Sequence, residues 1–411
     1  MQLPKPSAYL LLLLFLYPSP TLGYPADPNN AALLYYQAFI SFPSNYNEMS
    51  LPLDPSPSGL IEPNEAIRDY LKTCDSVFDF ANAAAKLKAC DWGIRYTRGN
   101  KMEPPHDPLS PHLPLVRQLC LHVMTQAQVY AADKEYKKAL ENCLIIRKIS
   151  QHSGDDNMLY LCVNASCHGL ANRAIRQVLS MMPSNLTMLA WLEKELAQVS
   201  QRPNIGNALA TEEQCALRLM NKGNRYLMQM AEMCRDGLPE TDPTMKGIFD
   251  DELLLMKAVD EYSFVSISTF IEASRAHYKQ TMVTMRAIME ELDTFEAKRR
   301  KLQHLYEQIE ADGVSDPHAF YTSVFVTQSV GIHAILTQLR SDDNLLKVAI
   351  HLYKTKAQTR ELPNVLPVGL PKNIFNSKVF DYEKTDDGFI LRMETIGRHK
   401  DKPIEFTFRV R

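Results

Sequence analysis

The sequence predicts a mainly α-helical fold of irregularly stacked helical hairpins (an α-solenoid, similar to tetratricopeptide repeats) followed by a small C-terminal antiparallel β unit. Three observations predict it. Only four prolines fall between residues 115 and 316, each where a helix could end. Glycine is scarce at 15 residues, roughly half the usual share of about 7 %, which disfavours turn-rich β architecture. After residue 361 apolar and polar residues alternate, as they do in strands.

The helical part is expected to extend over residues 24–360 as one domain. The turn Asp133–Leu140 resembles the turn between the two helices of a tetratricopeptide repeat, but no clean 34-residue period recurs. Two of the helical segments given in the next sentence have alternative interpretations. For Phe264–Glu310 the alternative is a break near Asp293, and for Pro317–Thr355 it is two helices that meet near Ser341–Asp343. The spacing of apolar residues and the positions of helix-breaking residues predict helices over Asn30–Pro43, Asn64–Leu87, Pro114–Ala132, Tyr136–Ser150, Asp155–Met182, Asn185–Gln201, Glu212–Cys234, Lys246–Tyr262, Phe264–Glu310 and Pro317–Thr355.

The last segment, residues 361–411, reads as three short strands over Lys378–Tyr382, Phe389–Met393 and Ile404–Val410. The run Thr385–Gly388 (TDDG) predicts a hairpin turn in which Asp-Gly supplies positive φ angles. Three short strands are marginally stable alone, so we expect them to pack on the preceding helix.

The composition excludes several function classes. The 411 residues are 45 % apolar and 23 % charged, which is typical of globular proteins. The net charge is −3, from 45 basic and 48 acidic residues. Such a balance lacks the basic field that holds nucleic acid or an anionic membrane, so neither is predicted as a partner.

The first 23 residues have the pattern of a secretory signal peptide. Lys5 precedes the apolar run Ala8–Tyr17, and small residues at Thr21 and Gly23 predict cleavage before Tyr24. No later stretch reaches the roughly 18 apolar residues of a membrane span. We therefore expect an exported protein, periplasmic or extracellular, that stays tethered to the membrane if the signal is not cleaved.

The eight cysteines all lie between Cys74 and Cys234, and disulfides and buried free thiols are both open interpretations. The densest group is Cys162, Cys167 and His168. Four residues separate the two cysteines, the upper edge of the usual zinc spacing, but a second close pair is missing. Neither a metal nor another cofactor is predicted.

Motifs for familiar catalytic sites are missing from the sequence: it has no H-E-x-x-H, no G-x-S-x-G, no phosphate-binding G-x-x-x-x-G-K and no G-x-G-x-x-G. The most polar cluster consists of His106, Asp107 and His112 and lies in a proline-rich loop. Loops of this kind carry function disproportionately often. The alternative is an ordinary loop whose tryptophan fills the helical core. The candidate functional residues are Asp91, Trp92, His106, Asp107 and His112.

Four stretches resemble, in a similar order, a group of uncharacterised exported helical proteins of planctomycete bacteria. The resemblance implies export and helical architecture, and it implies no catalytic residue. The stretches are Asn30–Phe42 (NAALLYYQAFISF), Ile61–Tyr70 (IEPNEAIRDY), Cys90–Gly93 (CDWG) and Gly154–Leu170.

The stretch Leu362–Leu391 resembles the C-terminal helix-plus-hairpin module of type II secretion pseudopilins. In those proteins a neighbouring loop can hold calcium. Here Asn373 stands near the position of a typical Asp-Pro pair, which removes one of the charged oxygen donors that calcium prefers. Calcium is therefore not predicted.

These observations favour an exported, non-enzymatic helical protein that acts as a protein-interaction or scaffold module with a protein or peptide partner. One alternative is an exported hydrolase-like enzyme with its site near the Trp92–His112 loop. Another is an accessory component of a secretion apparatus, which the resemblance of the tail suggests.

Overall fold

A computed structural model describes most of the chain as a mainly helical structure with a three-stranded antiparallel sheet at its C-terminal end. The predicted fold class is confirmed. The predicted signal segment 1–23 and the predicted helix Lys246–Tyr262 lie outside the described residues, as does most of the predicted helix Glu212–Cys234. The described residues are 29–44, 63–93, 110–154, 157–199, 205–217, 220, 266–291, 293–315, 317–394 and 403–410.

The N-terminal part begins with helix α1 (Ala31–Ile40), followed by α2 (Glu65–Lys72) and α3 (Asp75–Ala85). The single helix predicted over Asn64–Leu87 is wrong, because the chain turns at Thr73 and Cys74. Their N–H groups bond to carbonyls three residues back, and the Thr73 hydroxyl donates to the Tyr70 carbonyl at 2.6 Å. A local hydroxyl bond of this kind competes with regular helix geometry, so α3 takes its own direction.

Three long helices form the middle of the structure: α4 (His112–Ala132), α5 (Tyr136–Ser153) and α6 (Met158–Met181). The predicted turn joins α4 and α5, with Lys134 in the left-handed region at a φ of 65°. A turn of three residues makes the two helices antiparallel neighbours. The Asn157 side chain accepts the Tyr160 N–H at 3.0 Å and caps α6.

The second half continues with α7 (Leu186–Gln198), a helical segment at 205–217, α8 (Ser266–Glu290) and α9 (Phe295–Ser315). The predicted break near Asp293 is therefore confirmed. A short 3-10 turn, Pro317–Ala319, leads into the 40-residue helix α10 (Phe320–Thr359). This helix passes through Ser341–Asp343 without a break, so the alternative of two helices is wrong.

The C-terminal sheet has the order β1 (Asp381–Lys384), β2 (Gly388–Met393) and β3 (Ile404–Arg409), all antiparallel. The first strand begins three residues later than predicted. The expected role of Gly388 is also corrected, because neither it nor Asp387 has a positive φ. A Cβ at Gly388 would lie 1.9 Å from the Phe408 carbonyl oxygen, so glycine is required there for the close approach of β3.

Two hydrophobic clusters form the interior. The first combines α1–α7, the C-terminal half of α10 and the inner face of the sheet. The second combines the N-terminal end of α6 with the segment 205–217, α8, α9 and the N-terminal half of α10. Helix α10 therefore belongs to both clusters. Among the described residues no helix combines the length and the apolar character needed to cross a bilayer.

A buried polar network crosses the boundary between these clusters and holds α5 and α6 on the middle of α10. One carboxylate oxygen of Asp343 accepts from Arg147, His168 and Asn172, each at 2.8 Å. The neighbouring Asp342 pairs with Arg176 at 2.7 Å. Burial acts to raise the pKa of Asp343, but the His168 hydrogen bond and the Arg147 charge outweigh it and hold that pKa well below its usual range.

The other side of the same α10 turn holds the tail. The Ser341 hydroxyl donates to the Asn373 amide oxygen at 3.1 Å, and the Asn344 amide donates to the Lys372 carbonyl at 2.8 Å. Asn373 in turn donates to the Glu394 carbonyl at the end of β2. Four consecutive polar residues, 341–344, are thus satisfied by tertiary partners, which explains why they do not end the helix.

We expect Asp343→Ala to lower the free energy of unfolding by about 3 kcal/mol, because it leaves the buried Arg147 guanidinium without its carboxylate. Urea unfolding followed by far-UV circular dichroism measures the change. The control Asp312→Ala removes an exposed carboxylate from α9 and should stay within about 0.5 kcal/mol of wild type. Equal losses in the two variants would show that the Asp343 network does not hold these helices together.

Candidate functional site

The structure buries Trp92, the central residue of the predicted functional loop, in an aromatic cluster under α1. Its side chain stacks on His112, with ring centroids 4.3 Å apart, and on Phe39 at 6.2 Å. Tyr35 and Tyr36 of α1 complete the packing around the indole. Trp92 is 9 % exposed and His112 is 1 % exposed.

Hydrogen bonds fix this cluster to the end of α5. The Trp92 indole N–H donates to the His152 carbonyl at 2.7 Å, and the Tyr35 hydroxyl lies 2.8 Å from the His152 Nδ1. Both ring nitrogens of His112 and the Nε2 of His152 have no hydrogen-bond partner among the described residues. Because these rings are buried and stacked on one another, the aromatic cluster is a packed interior rather than an open reaction site.

Asp91 takes no part in the ring stacking. Asp91 is held in a local turn: its carboxylate accepts the Gly93 N–H at 2.9 Å, and the Asn30 side chain bonds both its N–H and its carbonyl. His106 and Asp107 lie outside the described residues. Of the five candidates, the structure brings together Trp92 and His112 and places Asp91 beside them. A functional role for this loop stays a prediction.

Burial also sets the electrostatics of this aromatic cluster. Desolvation lowers the pKa of His112 to about 4. The pKa of His152 falls to about 4 as well, through desolvation and the charge of Lys148. Both rings are therefore neutral at pH 7.

The predicted cysteine group is also separated by the fold. Cys162 packs against the second hydrophobic cluster, while Cys167 lies in the first. His168 binds Asp343 instead of either thiol. Across the described part of the chain, no group of three or more histidine, cysteine or acidic side chains is arranged to hold a metal ion.

A concave groove of 470 Å³ lies on another face, between α3, α4 and α5. Its volume is in the range of ligand sites, about 300–1,000 Å³. Phe78, Ala81, Val123 and Ile145 supply its apolar lining. The polar lining comes from Asp75, Asp79, Asn82, Gln126, Tyr130, Lys138, Glu141 and Asn142. We call this the α3–α5 groove.

Acidic side chains dominate the charge of the α3–α5 groove. Asp75 and Asp79 are exposed and lie one turn apart on α3, and neither forms an ion pair among the described residues. Like charges at this spacing repel each other and destabilise a helix slightly. The one lysine of the lining, Lys138, pairs with Glu135 and lies over the Tyr130 ring. The groove therefore presents negative charge.

Two amide side chains in the α3–α5 groove have unused hydrogen-bonding capacity. The Asn142 amide N–H donates to the Gln126 amide oxygen at 2.8 Å. That bond leaves the Asn142 carbonyl oxygen and the Gln126 N–H groups without partners among the described residues. The Asn142 oxygen keeps solvent access although the residue as a whole is only 8 % exposed, so it can accept a hydrogen bond from water or from a ligand.

A second cleft, of 520 Å³, lies beside β1 in the C-terminal unit. Its main cation, Arg392, is already surrounded by the carboxylates of Asp381, Glu383 and Glu405. Asn376 likewise donates to Glu394 at 2.6 Å. The polar groups of this cleft are largely occupied by one another, so it offers less to a ligand than the α3–α5 groove.

Sequence reasoning missed the residues of the α3–α5 groove. One signal was present: Asp75 and Asp79 stand four residues apart on a predicted helix with no basic residue at matching spacing between or after them. Nothing in the sequence indicated Gln126 or Asn142, because their pairing depends on the packing of α4 against α5.

Comparison of the chain with protein-family models, with curated proteins and with solved structures finds no match. The resemblances to planctomycete exported proteins and to pseudopilins therefore stay predictions.

The two buried histidines of the aromatic cluster, His112 and His152, predict a pH dependence of stability. Unfolding restores their ordinary pKa near 6.5, so between about pH 6.5 and 4 the unfolded chain binds more protons than the folded one. The free energy of unfolding should therefore fall as the pH drops through this window, by up to about 1.4 kcal/mol per pH unit for each histidine.

The variant His112→Phe should remove about one histidine's share of that slope while keeping the stack on Trp92. Urea unfolding at a series of pH values measures it. The matched control His304→Phe changes an exposed histidine of α9 and should keep the wild-type slope. An unchanged slope in His112→Phe would contradict the neutral, buried state of this ring.

Proposed function

We propose that this chain is an exported, non-enzymatic helical module that binds a polypeptide partner in the α3–α5 groove. The carrying observation is the open amide pair of Asn142 and Gln126 in a concave groove with an apolar floor. A polypeptide offers one backbone donor and one backbone acceptor per residue, which is the complement of that pair. Export rests on the signal pattern of residues 1–23.

The support for the enzymatic alternative is weaker. Its candidate residues Trp92 and His112 are buried against α1, so a substrate would have to open the core to reach them. The His168–Asp343 pair resembles a catalytic dyad in composition, but Arg147 and Asn172 saturate the same carboxylate oxygen. Saturated, buried groups of this kind support a structural role. A role as an accessory of a secretion apparatus stays a prediction from the tail's resemblance.

The variant Asn82→Trp tests the proposal without changing charge. Asn82 is exposed at the groove, and an indole there fills part of its volume. The tagged full-length protein is purified from its exported fraction, and partners are identified and quantified by mass spectrometry. We expect a stoichiometric polypeptide partner with wild type and its loss with Asn82→Trp.

The matched control Gln303→Trp adds the same bulk at an exposed position of α9 and should retain the partner. Thermal unfolding of both variants checks that they remain folded. Equal recovery of a partner from the two variants would place the binding surface elsewhere. A monomer without a partner in every sample would contradict the interaction role.

A further inference from the structure

We infer that the partner segment bound in the α3–α5 groove is extended and carries two basic side chains two residues apart, as in Lys-x-Lys or Arg-x-Arg. This inference rests on the proposed function and specifies its partner. Three features of the groove lead to this inference: the spacing of its unpaired carboxylates, the unbonded Asn142 oxygen and Gln126 N–H groups, and the apolar floor.

The first feature is the spacing of Asp75 and Asp79. Four residues along a helix correspond to about 6 Å at a rise of 1.5 Å per residue. Side chains two residues apart on one face of an extended chain are separated by about 6.6 Å. Two basic side chains with that spacing therefore meet both carboxylates at once, and neither carboxylate has an ion-pair partner in the described part of the chain.

The second feature favours an extended partner over a helical one. A helix also presents side chains about 6 Å apart, four residues along its sequence. Its central backbone groups, however, are bonded within the helix and cannot serve the free ends of Asn142 and Gln126. An extended segment keeps those backbone groups available.

The third feature is the apolar floor beside the carboxylates. Phe78 lies between Asp75 and Asp79 in α3 and lines the groove with Val123 of α4 and Ile145 of α5. Lysine and arginine place their aliphatic stems on apolar surface while the charged head stays at the rim. A basic residue thus satisfies both the floor and the carboxylates, whereas an acidic one is repelled by the groove.

The test measures peptide binding to the full-length chain by fluorescence anisotropy. The probe is a short fluorescein-labelled Gly/Ser peptide with a central Lys-Val-Lys, compared with Glu-Val-Glu and with the shifted spacing Lys-Val-Val-Lys. We expect Lys-Val-Lys to bind about five- to tenfold more tightly than either of the others, the effect of two exposed ion pairs. The preference should shrink at high salt.

The variant Asp75→Asn/Asp79→Asn should remove this preference while leaving residual binding through the amide pair. The matched control Glu307→Gln/Asp312→Asn neutralises two exposed carboxylates of α9 and should keep it. Thermal unfolding verifies that both double variants are folded.

The outcomes separate this inference from the proposed function. If all peptides bind equally and Asn82→Trp abolishes their binding, the groove binds polypeptide but the preference for basic residues is overturned. If the preference persists in Asp75→Asn/Asp79→Asn, it arises elsewhere and the inference is overturned. If no peptide binds, both the proposed function and the inference are overturned.

Discussion

The arrangement of the helices depends on one half-buried carboxylate. Asp343 lies in the middle of α10 and accepts from side chains of α5 and α6 through a single oxygen. Burying this charge is unfavourable unless donors surround it, so α5 and α6 have to approach α10 at this turn. The neighbouring residues make further contacts. Asp342 pairs with Arg176, and Ser341 bonds to Asn373 in the C-terminal tail.

Arg176 connects α10 to the C-terminal sheet. Its guanidinium pairs with Asp342 and lies over the Phe406 ring of β3, 4.5 Å from the centroid. On the next turns of α10, the Tyr353 hydroxyl donates to the Arg409 carbonyl at 2.6 Å, and its ring packs on Phe389 and Phe408. The sheet is therefore fixed to α6 and α10 by both charge and aromatic packing, which three short strands require for stability.

Helix and strand content could be predicted because proline, glycine and apolar spacing act locally. The errors come from interactions that are not local. The run Ser341–Asp343 looks like a break because its polar residues usually cap or end helices, and only their partners on other elements keep α10 continuous. Gly388 looked like a turn residue, whereas the approach of the Phe408 backbone from β3 requires it.

The candidate site was predicted less well for the same reason. A tryptophan and a histidine beside a proline-rich loop look functional in sequence, and nothing local distinguishes an exposed Trp92 from one stacked between His112 and Phe39. The α3–α5 groove draws its lining from three helices, and the free amide ends exist only because Asn142 meets Gln126 across the α4–α5 hairpin. Such pairings depend on tertiary packing.

The position of α10 has a consequence for the order in which the chain can fold. Residues 345–353 of α10 belong to the first hydrophobic cluster, together with the later sheet, and residues 326–339 belong to the second. During synthesis the earlier helices are made long before either set. Arg147 lies 196 residues before Asp343, the carboxylate with which it pairs. Contacts so distant in sequence form late, and the unpaired apolar faces stay exposed until then. The chain therefore reaches its final packing only after α10 and the C-terminal sheet have been made.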